Sequence, residues 1–367
     1  MATSKMNVPW AKPYIDQKEF ENVKNCFDID WLTMGPKVKQ LESRLSELTE
    51  SIHCVAVNSG TAALDIALKL IGVKPGDEVI IPALSYIATG NSVLYQKATP
   101  VFAAIDKDTY NIDVNSVKSL ITDKTKAIIP IDYAGQGPDF DVLRDIIKGT
   151  DIKIIEDAAP GLGGKYKDKP LCSRGDIGIT SFHMAKIFTT IEGGMIFTDN
   201  EQWDKEARII RSQGENPDQK YHFPLLGHNY RMSDLHAAIG LAQFDRYDAV
   251  LDKRAQLAER YSVAFKNSPG VKVPHVLAEN EHAWFLYPLL VNDRDELQAA
   301  LKERGVQTNI SWPMPIYDQV PYLEFDRNRC EISEAFCKRV ICLPLYFEMT
   351  DEEQQYVIDA IVELRGK

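Results

Sequence analysis

The residues with the most chemical potential stand just past short apolar runs. After the run ending at Thr180 come Ser181, Phe182, His183, Met184, Ala185 and Lys186, and then Glu192, Gly193 and Gly194. A lysine in a crowded site loses its proton readily and can then condense with an aldehyde to a Schiff base. Met alone, the same residue is a solvated surface amine. After Ile155 come Glu156 and Asp157. A carboxylate at the mouth of a buried strand needs a charged or hydrogen-bonding partner, and a protonated pyridine nitrogen would be one. Capping of the following loop is the alternative for Asp157. After Val57, Asn58, Ser59, Gly60 and Thr61 open a helix whose free N–H groups and dipole suit a phosphate, although an N-cap by Ser59 or Asn58 is the plainer account. Tyr86 follows the run ending near Pro82, where its ring could stack on a flat heterocycle or simply pack in the core. His183 is open in the same way.

The elements that must position these residues follow from periodicity. Behind Pro36, which suits a first helical turn, Val38, Leu41, Leu45 and Leu48 recur at helical spacing and predict a helix of about four turns. Apolar runs then alternate with helical stretches: 54–57, a helix over 61–71, and runs over 78–81, 100–103, 127–129, 152–155, 177–180 and 195–198. Strands that are apolar throughout are buried on both faces, and helices between them imply mostly parallel pairing in a three-layer α/β sandwich. Ligands of such sheets lie outside the carboxyl ends of the strands. The rhythm changes near residue 245. A charged helical segment over 246–265 leads to shorter elements and a last helix announced by Thr350 and Glu353 in capping-box spacing, with Val357, Ile361 and Leu364 inward. The expected division is a large domain over 1–245, its first 30 or so residues packing near a smaller α+β domain over 246–367.

Composition narrows the function classes. A chain of 367 residues can bury a large core in two domains. With 53 acidic and 42 basic side chains the formal charge is −11, which works against a nucleic-acid partner. No stretch approaches the run of about 18 apolar residues that spans a bilayer, and the first thirty residues hold no signal-peptide core, so a cytoplasmic protein without a membrane partner is expected. The six cysteines form no C-x-x-C pair and no zinc-site spacing, so reduced thiols and no metal are expected. No G-x-x-x-x-G-K-[ST], G-x-S-x-G or complete G-x-G-x-x-G is present, which removes support for nucleotide hydrolysis, α/β-hydrolase chemistry and standard dinucleotide binding.

Taken in order, Asn58-Ser-Gly-Thr-Ala-Ala-Leu64, Gly76-Asp-Glu-Val-Ile-Ile-Pro82, Ile155-Glu-Asp-Ala-Ala159, Ser181-Phe-His-x-x-Lys186, Glu192-Gly-Gly194 and Gly227-His-Asn-Tyr-Arg231 resemble the DegT/StrS-type sugar aminotransferases. The match runs from about Trp31 to the C-terminus. The resemblance implies the aspartate-aminotransferase-like fold, fold type I of the pyridoxal-phosphate enzymes, and a homodimer with shared active sites. It implies that Lys186 carries pyridoxal 5'-phosphate as a Schiff base and then moves protons. Asp157 would keep the pyridine nitrogen protonated, Tyr86 would stack on the ring, and Gly60, Thr61, Ala62 and Ser181 would bind the phosphate. Asn229 would reach the phosphate of the partner subunit's site. His183, Arg231, Trp312 and Tyr317 are the expected substrate contacts.

The implied reaction passes nitrogen from L-glutamate through the pyridoxamine form of the cofactor to a keto sugar. Thr189-Thr190-x-Glu192-Gly-Gly194 is more similar to members acting on 4-keto nucleotide sugars, the perosamine synthase-like enzymes, than to those acting at carbon 3. Another keto sugar, such as a 3-keto nucleotide sugar or a long-chain sugar acid, is the alternative acceptor. A non-catalytic protein on the same fold would be favoured by loss of Lys186 or Asp157, and both are present. Where the family commonly has glutamine or histidine near the ring hydroxyl, this chain has Pro160, which lacks a donor. Ile191 likewise replaces a frequent small residue. The segment Ile310-Ser-Trp-Pro-Met-Pro-Ile-Tyr317 falls where relatives contact the acceptor, with a packed proline-rich loop as the other reading.

Overall fold

The computed structural model describes residues 6–28, 31–325 and 330–365. The chain begins with α1 (Gln17–Cys26), α2 (Pro36–Thr49), β1 (His53–Val57), α3 (Gly60–Leu70), β2 (Glu78–Pro82), α4 (Ile87–Tyr95) and β3 (Thr99–Ala103). It continues through α5 (Val114–Leu120), β4 (Thr125–Ile128), α6 (Phe140–Ile146), β5 (Lys153–Asp157), the short β6 (Lys165–Tyr166) and β7 (Lys169–Pro170), β8 (Ile177–Ser181) and β9 (Gly194–Thr198). Helices α7 (Glu201–Arg211), α8 (Asp234–Gln243) and α9 (Tyr247–Phe265) precede β10 (Val271–Lys272), β11 (Asn280–Glu281), β12 (Pro288–Val291), α10 (Arg294–Glu303), α11 (Glu331–Arg339), β13 (Val340–Cys342) and α12 (Asp351–Arg365).

Seven strands form one sheet in the order β1-β9-β8-β5-β4-β2-β3. From β8 to β3 every pairing is parallel, whereas β9 is antiparallel to both neighbours. The reason is local: β9 follows β8 through a loop without a crossover helix, so it must return in the opposite direction. Apolar helices cover the faces. Ala63, Ile66, Ala67 and Leu70 of α3 pack with Val79 and Ile81, and Leu41 and Leu45 of α2 pack with Phe182, Phe188 and Phe197.

Helix starts have identifiable partners. Behind Pro36, the buried Asp234 carboxylate accepts the N–H groups of Gly35 at 2.8 Å and of Lys37 and Val38 at 3.3 Å, satisfying the orphan donors of α2. The α12 capping box forms: Glu353 N–H donates to Thr350 Oγ1 at 3.0 Å and Thr350 N–H to Glu353 Oε2 at 2.8 Å. Val357 and Ile361 are fully buried, with Leu364 packed beside them.

A second, three-stranded sheet, β10-β12-β13, carries its own core with Leu257, Tyr261 and Phe265 of α9 and Val357 and Ile361 of α12. At its start α9 also sends Tyr247 and Leu251 into the cluster beside the large sheet, so this helix joins the two cores. The N-terminal segment divides. Val8 pairs with Val306 and joins the second core, while α1 lies on α8, where Asn22 Nδ2 donates to the Ala238 carbonyl. Among the described residues no helix is long and apolar enough to cross a membrane, and the six cysteines are buried and unbridged.

Candidate active site

The parallel pairing of β5 and β8 sets Asp157 opposite Ile179, so the ends of these strands and the start of α3 open on one side of the sheet. A cavity of about 450 Å³ lies there, bounded by Ser59, Gly60, Thr61, Asp157, Ser181 and Lys186, with Tyr86, Thr89, Glu192 and Trp312 on its walls.

Lys186 sits in the loop joining β8 to β9. That loop is closed at its neck by Phe182 N–H to the Gly193 carbonyl at 2.9 Å and Thr190 N–H to the Phe182 carbonyl at 3.0 Å. Phe182 and Phe188 pack edge-on beneath it, 5.3 Å between centroids. The Lys186 Nζ lies 4.4 Å above the Phe285 ring. Burial pushes its amine down to about 8, opposed by the charge of Asp157. At that value roughly a tenth of the amine is neutral at pH 7, far more than for an ordinary lysine, and the neutral form is what a nucleophile or proton carrier requires. Phe285 is held from behind by Arg254, whose guanidinium donates to the carbonyls of Trp284 at 2.9 Å, Phe285 at 3.0 Å and Leu345 at 2.8 Å.

Asp157 is 3% exposed. One carboxylate oxygen accepts Thr89 Oγ1–H at 2.8 Å and the other the Ala159 N–H at 3.2 Å, so the loop cap and a cavity-facing carboxylate coexist. Burial pushes its carboxyl up, while the two hydrogen bonds and the Lys186 charge act in the other direction. Behind it lie two further buried acids. Glu156 accepts the backbone N–H groups of Cys172, Arg174 and Gly175 at 2.8, 2.6 and 3.2 Å. Asp132 is fully buried, and neither of its carboxyl oxygens has a hydrogen-bond partner among the described residues. Burial, and then the charges of Glu156 and Asp157, push Asp132 well above the usual carboxylate range.

The opening of α3 is close-packed on β8. A Cβ added to Gly60 would lie 2.9 Å from the Ser181 Cβ, so only glycine lets the helix start and the strand end meet. Ser59 is the N-cap, its Oγ accepting the Ala62 N–H at 3.1 Å. That amide therefore serves the cap, and Ala62 is buried off the cavity wall, while the Gly60 and Thr61 amides have no partner within the helix. Their free donors, the Ser181 hydroxyl and the dipole of an 11-residue helix fit a phosphate. The exposed Tyr86 ring, the Asp157 carboxylate and the Lys186 amine fit a flat, positively charged heterocycle bearing an aldehyde.

Among the other expected contacts, His183 and Trp312 line the cavity. The His183 Nδ1 accepts the Ala185 N–H at 3.3 Å, and its Nε2 lies 3.9 Å from Glu192. Trp312 packs edge-on against Tyr133, 5.8 Å between centroids. Tyr317 is elsewhere: it is fully buried in the core, edge-on to Phe102, with its hydroxyl donating to Glu334 at 3.2 Å. Its segment was expected to contact the acceptor, but burial of a large ring against Phe102 of β3 decided its place. Asn229 is exposed and Arg231 half-buried, and neither lines this cavity. The Asn229 carbonyl is fixed by Asn58 Nδ2 at 3.2 Å. Thr89, Trp10 and Phe285 line the cavity without having been picked out from the sequence. Trp10 and Phe285 come from segments remote from the strand ends, and Thr89, in the first turn of α4 beyond β2, carries no local pattern to mark it. Among the described residues no cluster of His, Cys, Asp or Glu could hold a metal ion.

Residues 13–362 match the family model described as the DegT/DnrJ/EryC1/StrS aminotransferase family. The spore coat polysaccharide biosynthesis protein SpsC of Bacillus subtilis is 35% identical, with 97% of each chain covered. GDP-perosamine synthase of Caulobacter vibrioides is 35% identical over 96% of each chain. Among solved structures, the pyridoxamine-phosphate form of the putative sugar aminotransferase Spr1654 from Streptococcus pneumoniae is 32% identical, superposes with a TM-score of 0.94 and is covered over 98% of both chains. A pyridoxal-phosphate form of that protein superposes at 0.93.

Proposed function

Because the chain belongs to the DegT/DnrJ/EryC1/StrS aminotransferase family and is a pyridoxal-phosphate-dependent sugar aminotransferase, we propose that it moves the amino group of L-glutamate to the keto group of a nucleotide-linked 4-keto-6-deoxy sugar, alternating between the pyridoxal and pyridoxamine forms. The observation that carries the site assignment is the convergence of the Lys186 amine, the Asp157 carboxylate and the open start of α3 on one cavity. The 4-keto assignment is supported by the resemblance of the Thr189 to Gly194 segment and by a relative that is a GDP-perosamine synthase.

In this reading the Gly60 and Thr61 amides and the Ser181 hydroxyl hold the phosphate, and the Tyr86 ring stacks on the heterocycle. Asp157, an acceptor on a rigid strand end, holds a proton on the ring nitrogen. Bound pyridoxal phosphate supplies an electron sink for the electron pair released at the substrate carbon. Lys186 would move the proton of the donor's α-carbon to the cofactor in the first half-reaction and, in the second, move one from the cofactor to the sugar carbon that gains nitrogen, its amine poised by burial and fixed over Phe285. His183, Glu192 and Trp312 form the wall left for the sugar.

A homodimer with shared sites completes the proposal. Asn229 is exposed and off its own cavity, and the segment before it exposes Tyr221 by 75% and Leu226 by 82%, a surface suited to a second copy. Asn229 would then reach the phosphate of the partner subunit's site, with Arg231 near substrate. We place the protein in the cytoplasm, in polysaccharide or glycosylated-product biosynthesis, and take residues 1–245 and 246–367 as its two domains.

The test is an acceptor panel with 15N-glutamate, read by mass spectrometry: nucleotide-linked 4-keto-6-deoxy and 3-keto hexoses and a long-chain keto sugar acid. Labelled amino product from the 4-keto compounds, with at least tenfold higher kcat/KM than from the others, is the expected result. Preference for either other class would overturn the acceptor assignment.

A further inference from the structure

Behind Asp157 runs a chain of hydroxyls that the roles above leave unused. Thr89, on the first turn of α4, is fully buried and donates to Asp157 at 2.8 Å. The Ser85 Oγ, 4% exposed, lies 2.7 Å from the Thr89 Oγ1. The proton inventory fixes the direction of the chain. An ionised carboxylate only accepts, so the single hydroxyl proton of Thr89 goes to Asp157, and Ser85 must donate its own to Thr89.

The surroundings explain why such a donor is needed. Asp157 faces Lys186 across the cavity and has Asp132 and Glu156 on the sheet side. His183 and Glu192 line the same cavity. Burial favours the neutral acid form of Asp157, which could not keep a proton on a ring nitrogen. The Ala159 N–H and the Thr89 hydroxyl are the two hydrogen bonds that oppose this.

We propose that Ser85 and Thr89 form a positioning relay that holds the Asp157 side chain as an anion in one orientation, aimed at the ring nitrogen of the bound cofactor. The proposal rests on the assignment of Asp157 as the partner of that nitrogen. On this view α4 and the residues leading into it, rather than β5 alone, set the electrostatics of the cofactor site.

The test titrates pyridoxal phosphate into cofactor-free wild type, Thr89→Val, Thr89→Ser, Ser85→Ala and Asp157→Asn between pH 5 and 9, following visible absorbance, with circular dichroism to check folding. In Thr89→Val the pH at which affinity falls on acidification should rise by about one unit, the effect of losing one hydrogen bond to a buried charge. Thr89→Ser should restore the wild-type edge. Ser85→Ala should shift it in the same direction by less, and decides the matter if Thr89→Val fails to fold. An unshifted edge in Thr89→Val or Ser85→Ala, or no rescue by serine, overturns the relay while Asp157→Asn remains impaired. Wild-type affinity and pH profile in Asp157→Asn would instead overturn the Asp157 assignment on which the relay depends.

Discussion

Asp132→Asn should stabilise the protein, and increasingly so as pH rises. Asp132 is fully buried with both carboxyl oxygens unpartnered among the described residues, and it stands beside Glu156 and Asp157. Its carboxyl is raised well above the ordinary value of 3.8 by burial and by those two charges. In the unfolded chain it ionises near that ordinary value. Below it both states are protonated and Asp132 costs nothing. Above it the unfolded chain loses a proton that the folded state keeps, so folding stability falls by about 1.4 kcal/mol per pH unit until the folded-state carboxyl itself ionises. Asparagine has the same shape, fits the space where the Asp132 Oδ2 packs against Gly161, and removes this dependence. For a chain of 367 residues, 1 kcal/mol corresponds to about 1 °C in Tm. The wild type should therefore fall behind Asp132→Asn by roughly 1–2 °C for each pH unit above 5. Differential scanning calorimetry of the cofactor-free proteins, which removes ligand linkage, reads this directly. Parallel Tm curves, or a gap that closes as pH rises, would refute the argument.

Further outcomes follow from the same geometry. The rate at which cofactor-free protein captures pyridoxal phosphate should rise with pH through about 8, the value to which burial lowers Lys186, and level off above it, because only the neutral amine attacks; stopped-flow absorbance checks this. Gly60→Ala should weaken cofactor affinity about tenfold, since its new methyl meets the Ser181 Cβ at 2.9 Å and must push the helix start from the strand end; an absorbance titration measures it. Trp312→Ala should raise KM for the sugar severalfold and leave the glutamate half-reaction unchanged. Tyr317→Phe should leave both KM values unchanged and cost about 1 kcal/mol of stability through its lost bond to Glu334, which steady-state kinetics and calorimetry separate.

What could be read from the sequence follows from how each residue is positioned. Lys186, Asp157, Gly60, Thr61 and Ser181 were legible because doubly buried strands are continuous apolar runs, and the residues ending those runs converge on one edge of a parallel sheet. The Ser59 cap was legible too, although it claims the Ala62 amide that a phosphate was expected to use. Thr89 was not legible: it is 68 residues from Asp157, and nothing local distinguishes a threonine that completes a carboxylate from one that only packs. Trp10 and Phe285 reach the cavity through long-range pairing of their segments, Trp10 by its carbonyl with Leu345 N–H and Phe285 through Arg254. Tyr317 was misread because a proline-rich segment gives no sign of which aromatic turns inward. Asn229, proposed to act in a partner subunit's site, does not line the cavity of its own chain.

In the proposed function Lys186 carries the cofactor through which nitrogen passes from glutamate to the acceptor. The most direct test adds pyridoxal phosphate to purified wild type and Lys186→Ala, records visible absorbance, then adds glutamate. Wild type should develop a yellow band that bleaches on glutamate addition with release of 2-oxoglutarate, and Lys186→Ala should do neither. A wild-type protein that binds no cofactor, or a variant that reproduces both changes, would contradict the account.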